Sequence, residues 1–142
     1  MKELQFDDGI QEFNVNNRAV VRFCPTDYQF AERLAQVFDK MDALQQKFQG
    51  KITAAGSDTW KVCREIDSEM RSVIDNLFDQ PGISSEIFGT TSCYGIGNGL
   101  PIWCNLILAI MDVVDADIIA QKKATDPRLD AYLAKYKARE AK

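Results

Sequence analysis

The side chains that could carry out acid–base or metal chemistry are few in this 142-residue chain, and histidine is absent. Histidine is the usual general base near neutral pH and the commonest metal ligand. Its absence excludes every catalytic arrangement that depends on an imidazole, including Cys–His and Ser–His–Asp sites. The remaining candidates are four cysteines, two charged groups rich in carboxylates and one glycine-rich loop.

The cysteines, Cys24, Cys63, Cys93 and Cys104, are scattered through the chain and form no C-x-x-C pair. Disulfide frameworks and thiolate metal sites are recognised by close, patterned cysteine spacing. Two of these cysteines lie in strongly apolar stretches, which favours reduced, buried thiols in a reducing compartment. No base is aligned with any of them, so the pattern argues against a nucleophilic cysteine and indicates a cytoplasmic protein.

One acidic group follows a long apolar run and comprises Asp112, Asp115 and Asp117, of which the first two share a helical face. These carboxylates could gather a cation, but such a group is more typical of a helix that re-emerges into water. A second charged group predicts a solvated helix face containing an ion pair four residues apart. Its members are Glu65, Asp67, Glu69 and Arg71.

The glycine-rich loop, Gly95–Gly99, precedes a predicted helix and could cradle a phosphate at the helix N-terminus. It lacks a preceding strand and a Gly-Lys-Ser/Thr ending, so a tight turn is the favoured interpretation. Asn105 stands alone in the apolar run and is expected to bond a loop backbone group rather than a ligand. We therefore predict no catalytic, cofactor-binding or metal-binding residue.

The elements that position these groups follow from the spacing of apolar residues. Strand-like alternation begins at Leu4–Phe6, is interrupted by a turn signal at Asp7–Gly9, and resumes over Ile10–Val15. Asn16-Asn17 marks a second turn before Ala19–Cys24. This pattern predicts a three-stranded antiparallel meander.

A helical period begins after the meander. Thr26 and Gln29 form a capping box, Asp27 favours the helix N-terminus, and apolar residues continue at helical spacing up to Gly50. A second amphipathic helix ends at Asp79-Gly82. Its candidate caps are Ser57 and Asp58, and those of a short turn that follows are Ser84 and Ser85.

The run Gly99–Met111 is almost entirely apolar, and Pro101 suits a first helical turn. A helix that is apolar on every side must be covered on every side. Because the run is shorter than the ~20 residues of a membrane span, we expect a buried central helix over about 100–122.

Together these elements predict an α+β fold, mostly α, with about 60% helix by summed propensity. A short N-terminal antiparallel meander (1–24) precedes a helical body (25–125) organised as a bundle around the buried helix. We expect residues 1–125 to form a single globular domain and 126–142 to form a C-terminal charged helix.

The charge of the chain is unevenly distributed. Residues 1–117 carry 10 basic and 18 acidic side chains, a balance of −8, whereas residues 118–142 carry 7 and 3, a balance of +4. An acidic body argues against nucleic acid as a partner. We expect no membrane partner either.

The last helix begins at Asp126-Pro127, a cap followed by a first-turn proline. Its apolar residues lie at i, i+4 and i+7, a narrow stripe that suits docking to a groove on a partner or a sister subunit. Attraction between this basic end and the acidic body would also allow homo-oligomers. The candidate partner-binding residues are Arg128, Leu129, Leu133, Lys135 and Tyr136.

The chain resembles the small proteins encoded in the tail-assembly region of phages and prophages of Gram-positive bacteria. The similar elements are Leu4–Val15, the helix from Asp27, Ile87–Gly89 and Gly99–Trp103. The resemblance implies a non-enzymatic tail assembly chaperone in the cytoplasm of the bacterial host. Such a protein holds the tape-measure protein soluble and recruits tail-tube subunits.

Three other functions remain open from the sequence. The first alternative is a structural component of the virion, in its tail, neck or capsid. A small regulator or toxin–antitoxin partner would need a basic groove, which the acidic body disfavours. An enzyme would need a catalytic constellation, which the residues do not supply.

Overall fold

The computed structural model describes residues 1–55, 58–123 and 126–140. It is 64% helical and places a two-stranded antiparallel hairpin before the helices, which confirms the α+β, mostly α, fold class. The elements are β1 (Gln11–Val15), β2 (Ala19–Phe23), α1 (Tyr28–Ala55), α2 (Thr59–Phe78), α3 (Ile83–Phe88), β3 (Ile96–Gly97), β4 (Leu100–Pro101), α4 (Ile102–Lys123) and α5 (Pro127–Glu140).

The prediction of a third strand in the meander is wrong, because Leu4–Phe6 lies outside the sheet. The turn at Asp7–Gly9 does form: the Asp7 carboxylate accepts the Gly9 N–H at 2.9 Å, and Gly9 has a φ of 77°. A Cβ at Gly9 would lie 2.9 Å from the sulfur of Cys24, so the turn is held close against the end of β2. The segment before it carries no hydrogen bond to the rest of the described structure.

Helices α1 and α2 form an antiparallel hairpin. The Arg33 guanidinium donates to the Leu77 carbonyl at 3.3 Å, and Lys47 lies 4.0 Å from Glu69 farther along the pair. The strands pack onto these helices through a stack of phenylalanines. Ring centroids are 4.7 and 4.4 Å apart at its two successive contacts, and its members are Phe13, Phe23 and Phe30. Stacked aromatic pairs of this kind stabilise a core beyond the area that they bury.

The helix caps differ in part from the sequence pattern. Asp27, rather than Thr26, caps α1 by accepting the Gln29 N–H at 3.0 Å. Asp58 caps α2, whereas Ser57 lies outside the described residues. Helix α3 receives no cap from its own serines, because the Asp75 carboxylate on α2 accepts the Ser84 N–H at 2.8 Å. A side chain of a neighbouring helix therefore replaces the local cap.

Helix α4 is buried on one face only, so the expectation of a helix covered on every side is wrong. Its core stripe runs along Trp103, Ile107, Ile110 and Val114. Leu108 keeps 45% of its surface exposed, and Met111 and Ile119 are exposed as well. The helix lies at the edge of the molecule, where it meets the core with one stripe instead of passing through the centre.

Helix α5 begins as expected, since the Asp126 carboxylate accepts the Arg128 N–H at 2.9 Å. Every α5 side chain that the structure describes is exposed. None of the described helices has the length and apolar character needed to cross a membrane.

Candidate functional site

The densest polar cluster in the described structure joins α2 to the loop that follows α3. Asp67 accepts the N–H of Cys93 at 2.8 Å and its thiol at 2.9 Å, and it pairs with Arg71 at 2.9 Å. Arg71 in turn donates to the carbonyls of Gly89 and Thr91 at 2.9 and 2.8 Å. The ion pair four residues apart is confirmed, but it is mostly buried rather than part of a solvated face.

The ionisation of this cluster indicates a structural clamp. Burial, reinforced by the neighbouring Asp67 carboxylate, raises the pKa of the Cys93 thiol to about 12. Burial acts to raise the pKa of Asp67 too, but hydrogen bonds from Cys93 and Arg71 outweigh it and lower that pKa overall. A nucleophilic cysteine needs the thiolate. Cys93 is held as a thiol that donates to a carboxylate, which fixes the loop instead of attacking a substrate.

The glycine-rich loop forms a turn, which confirms the favoured interpretation. Strands β3 and β4 are joined through Asn98 and Gly99, whose φ values are 55° and 75°. The Asn105 amide donates to the Gly97 carbonyl at 2.8 Å, so its expected bond to the loop backbone is confirmed. A Cβ at Gly95 would lie 3.0 Å from Ile102 and 3.2 Å from a backbone oxygen, which explains the small residue there.

The three aspartates of α4 lie where the helix meets solvent. Asp112 and Asp115 are exposed, and Asp117 accepts a hydrogen bond from the Gln11 amide at 3.1 Å. Among the residues that the structure describes, no three cysteine, aspartate or glutamate side chains are grouped closely enough to hold a metal ion.

The candidate partner-binding residues lie together on α5. Leu129, Leu133 and Tyr136 are 60%, 44% and 54% exposed. Tyr132, 57% exposed, lies beside them and was missed by the sequence analysis, although its i+3 spacing from Leu129 was a visible signal. The stripe is therefore broader than predicted. We call these four side chains the α5 stripe.

The two basic candidates have different surroundings. Arg128 pairs with Asp126 at 2.7 Å, and the hydrogen bond from Arg128 holds the pKa of that exposed carboxyl at about 2. The positive charge of Arg128 is therefore paired with Asp126 at the start of α5. Lys135 is exposed and stands beside the α5 stripe in the sequence.

Comparison with protein-family models, curated proteins and solved structures finds no match to this chain.

Proposed function

We propose that this protein is a non-enzymatic phage or prophage tail assembly protein. It acts in the cytoplasm of the bacterial host as a chaperone for the tape-measure protein and the tail-tube subunits. The proposal is supported by the sequence resemblance and by one structural observation, the exposed α5 stripe. Large apolar side chains grouped on one face of a charged helix are typical of a protein-binding element.

The α5 stripe suits reversible binding. Two of its four members are tyrosines, which combine a large apolar area with a polar tip and are enriched in the energetic centres of interfaces. The rest of α5 is charged, so the unbound helix remains compatible with water. A partner rich in helices offers grooves in which side chains at i, i+3, i+4 and i+7 can anchor.

The chemistry of the described residues supports binding over catalysis. The buried thiol of Cys93 is protonated and fully engaged with Asp67. The carboxylates Asp112 and Asp115 are exposed to solvent on α4. Charge segregation also supports contact between copies, because the basic end of one chain attracts the acidic body of another.

The test is co-expression of the protein with a candidate tape-measure protein, chosen as the product of a very long helical reading frame in the same genome. We expect the wild type to keep the tape-measure protein soluble and to co-purify with it. The double variant Leu129→Asp, Leu133→Asp should lose at least about tenfold in affinity, because it places two charges in the stripe. The matched control is Ala131→Asp, Ala134→Asp, which adds two charges on the opposite face of α5. Equal capture by both variants would exclude the α5 stripe as the docking element.

A second measurement separates the chaperone from the structural alternative. A chaperone leaves the tail after assembly, so mass spectrometry of purified particles should not detect this protein in stoichiometric amounts. Its presence at a fixed copy number per particle would instead establish a component of the virion.

A further inference from the structure

The two outer edges of the β1–β2 hairpin differ in whether a side chain bonds their backbone groups. The edge of β2 is covered by Gln80, whose amide oxygen accepts the Arg22 N–H at 3.1 Å and whose amide nitrogen donates to the Val20 carbonyl at 3.4 Å. The Gln80 side chain thus bonds both kinds of backbone group, as a neighbouring strand would. The edge of β1 has no such cover from the described residues. An uncovered strand edge is a template for one more strand.

A channel runs beside this open edge, between β1 and α4. Two adjoining hollows of about 200 and 430 Å³ share lining residues from both elements. A third hollow, of about 910 Å³, begins beyond the hydrogen bond that joins Gln11 to Asp117. We call the first two hollows the β1–α4 channel. Its apolar wall includes Phe13, Val15, Leu106, Ala109, Ile110 and Val113.

The same molecule carries a segment with the matching pattern. Residues 1–6 are exposed, with Leu4 and Phe6 keeping 95% and 83% of their surface in solvent. In an extended conformation Lys2, Leu4 and Phe6 share one face, because side chains alternate along a strand. Six residues at about 3.3 Å each span roughly 20 Å, enough to cover the five residues of β1.

We propose that residues 1–6 of a second copy add as a strand to the open edge of β1 and place Leu4 and Phe6 in the β1–α4 channel. In the structure this segment lies outside the sheet of its own chain and makes no hydrogen bond to it. In a pair of copies, the open edge of β1 and the unpaired segment 1–6 are both used, since each chain donates one segment and accepts one. Such a reciprocal exchange closes on itself as a symmetric pair.

Charge sets the direction of the added strand. Asp117 lines the third hollow beside Gln11, at the start of β1, and Lys122 lines the same hollow. Asp117 makes no ion pair within 4.0 Å among the described residues. Lys2 meets this carboxylate when the segment runs parallel to β1, with Phe6 toward Val15. The opposite direction leaves Lys2 among Asn14, Asn16 and Arg18.

The first test is the mass of the full-length chain in solution over a range of concentrations. We expect the wild type to form a dimer. In the double variant Leu4→Asp, Phe6→Asp the dissociation constant of this dimer should rise at least about tenfold. Ala109→Glu, which fills the channel from an exposed position, should weaken the dimer in the same way. The control double variant Ala35→Asp, Gln36→Asp adds two charges at exposed positions of α1 and should leave this dimer intact. The α5 variant Leu129→Asp, Leu133→Asp measures any separate contact through the α5 stripe. A monomeric wild type, or a dimer lost only in the α5 variant, would overturn the proposal.

The second test asks whether the channel accepts the segment in trans. A fluorescent peptide with the sequence of residues 1–8 is titrated into the full-length Leu4→Asp, Phe6→Asp protein, whose channel should be vacant. We expect saturable binding that is lost when Ala109→Glu is added to the same protein. Equal binding of a control peptide with aspartate at positions 4 and 6 would refute insertion of the two apolar side chains. Circular dichroism confirms that each variant remains folded.

Discussion

At the scale of single residues, the four thiols of this chain have clearly different surroundings. Cys93 is fully buried and donates to Asp67, whereas Cys63 is exposed on α2. Burial also raises the pKa of Cys104. Reactivity toward thiol reagents follows both exposure and the fraction of thiolate.

We therefore expect selective labelling of the native protein by an aromatic disulfide reagent at pH 8. Cys63 should react first, and Cys93 should react only when the protein unfolds. Mass spectrometry after proteolysis identifies the modified sites. Cys63→Ser serves as the control, because it should remove the fastest phase and leave the others unchanged. Rapid modification of Cys93 in the folded protein would contradict the clamp.

Asp67 should contribute measurably to stability. Asp67→Ala leaves the Cys93 N–H and the Arg71 guanidinium without their buried acceptor, which costs about 2–3 kcal/mol in the free energy of unfolding. Urea unfolding measures this loss. Glu69→Ala on the same helix is the matched control, since its pair with Lys47 is exposed and should be worth less than about 1 kcal/mol.

The contribution of Asp67 should also depend on pH. Its pKa in the folded protein lies below the ordinary 3.8, so the unfolded chain takes up the proton first as pH falls. The stabilisation is therefore complete above about pH 5 and is lost as pH falls through the folded pKa. The difference in unfolding free energy between the wild type and Asp67→Asn should shrink below pH 4. A constant difference from pH 7 to pH 3 would show that ionisation of Asp67 is irrelevant.

Sequence reasoning at this scale succeeded where a contact was local. The bond of Asn105 spans eight residues and could be anticipated from a lone amide in an apolar run. The contact between Asp67 and Cys93 spans 26 residues and depends on how α3 returns the chain to α2. Nothing in the spacing of these two residues indicated that they would meet.

At the scale of elements, α4 shows that apolar composition does not establish burial. Ile107 is completely buried, whereas its neighbour Leu108 faces solvent. Both residues lie in the same apolar run, so only the packing of the helix distinguishes them. The helices themselves were predictable, because a 3.6-residue period is a local property. The absence of the third strand was not predictable, because the alternation of Leu4–Phe6 is local and does not determine whether the segment pairs with the open edge of β1.

A pair of alanine substitutions tests this description of α4. Ile107→Ala should lower the free energy of unfolding by about 2–5 kcal/mol, because it removes packed atoms and leaves a cavity. Leu108→Ala should change it by less than about 0.5 kcal/mol. Chemical denaturation with a common reference provides both values. Similar losses in the two variants would mean that the outer face of α4 is covered.

At the scale of the whole molecule, the chain separates an acidic body from a basic C-terminal end. The described side chains of α5 are all exposed, so the helix adds little to the core. Its apolar stripe and its position after the body were visible in the sequence. The channel beside β1 was not, because it depends on the spacing between two elements that are distant in the chain.

Truncation after Thr125 should leave the melting temperature within a few degrees of the wild-type value, since no described α5 side chain is buried. The shortened protein should lose binding to its partner. Scanning calorimetry and light scattering measure the two effects. Unfolding or aggregation of the shortened protein would place α5 in the core.

Added salt should weaken contacts between the basic end and the acidic body, because it screens exposed charges.

The two tryptophans give the molecule an intrinsic optical signal. Trp103 is 6% exposed and its indole N–H has no hydrogen-bond partner among the residues that the structure describes, whereas Trp60 is 76% exposed. An excited indole emits at shorter wavelength when no water reorients around it. Trp60→Phe should therefore leave a single blue-shifted emitter that iodide quenches poorly. That variant would report the opening of the interior at Trp103 in real time, without an added dye.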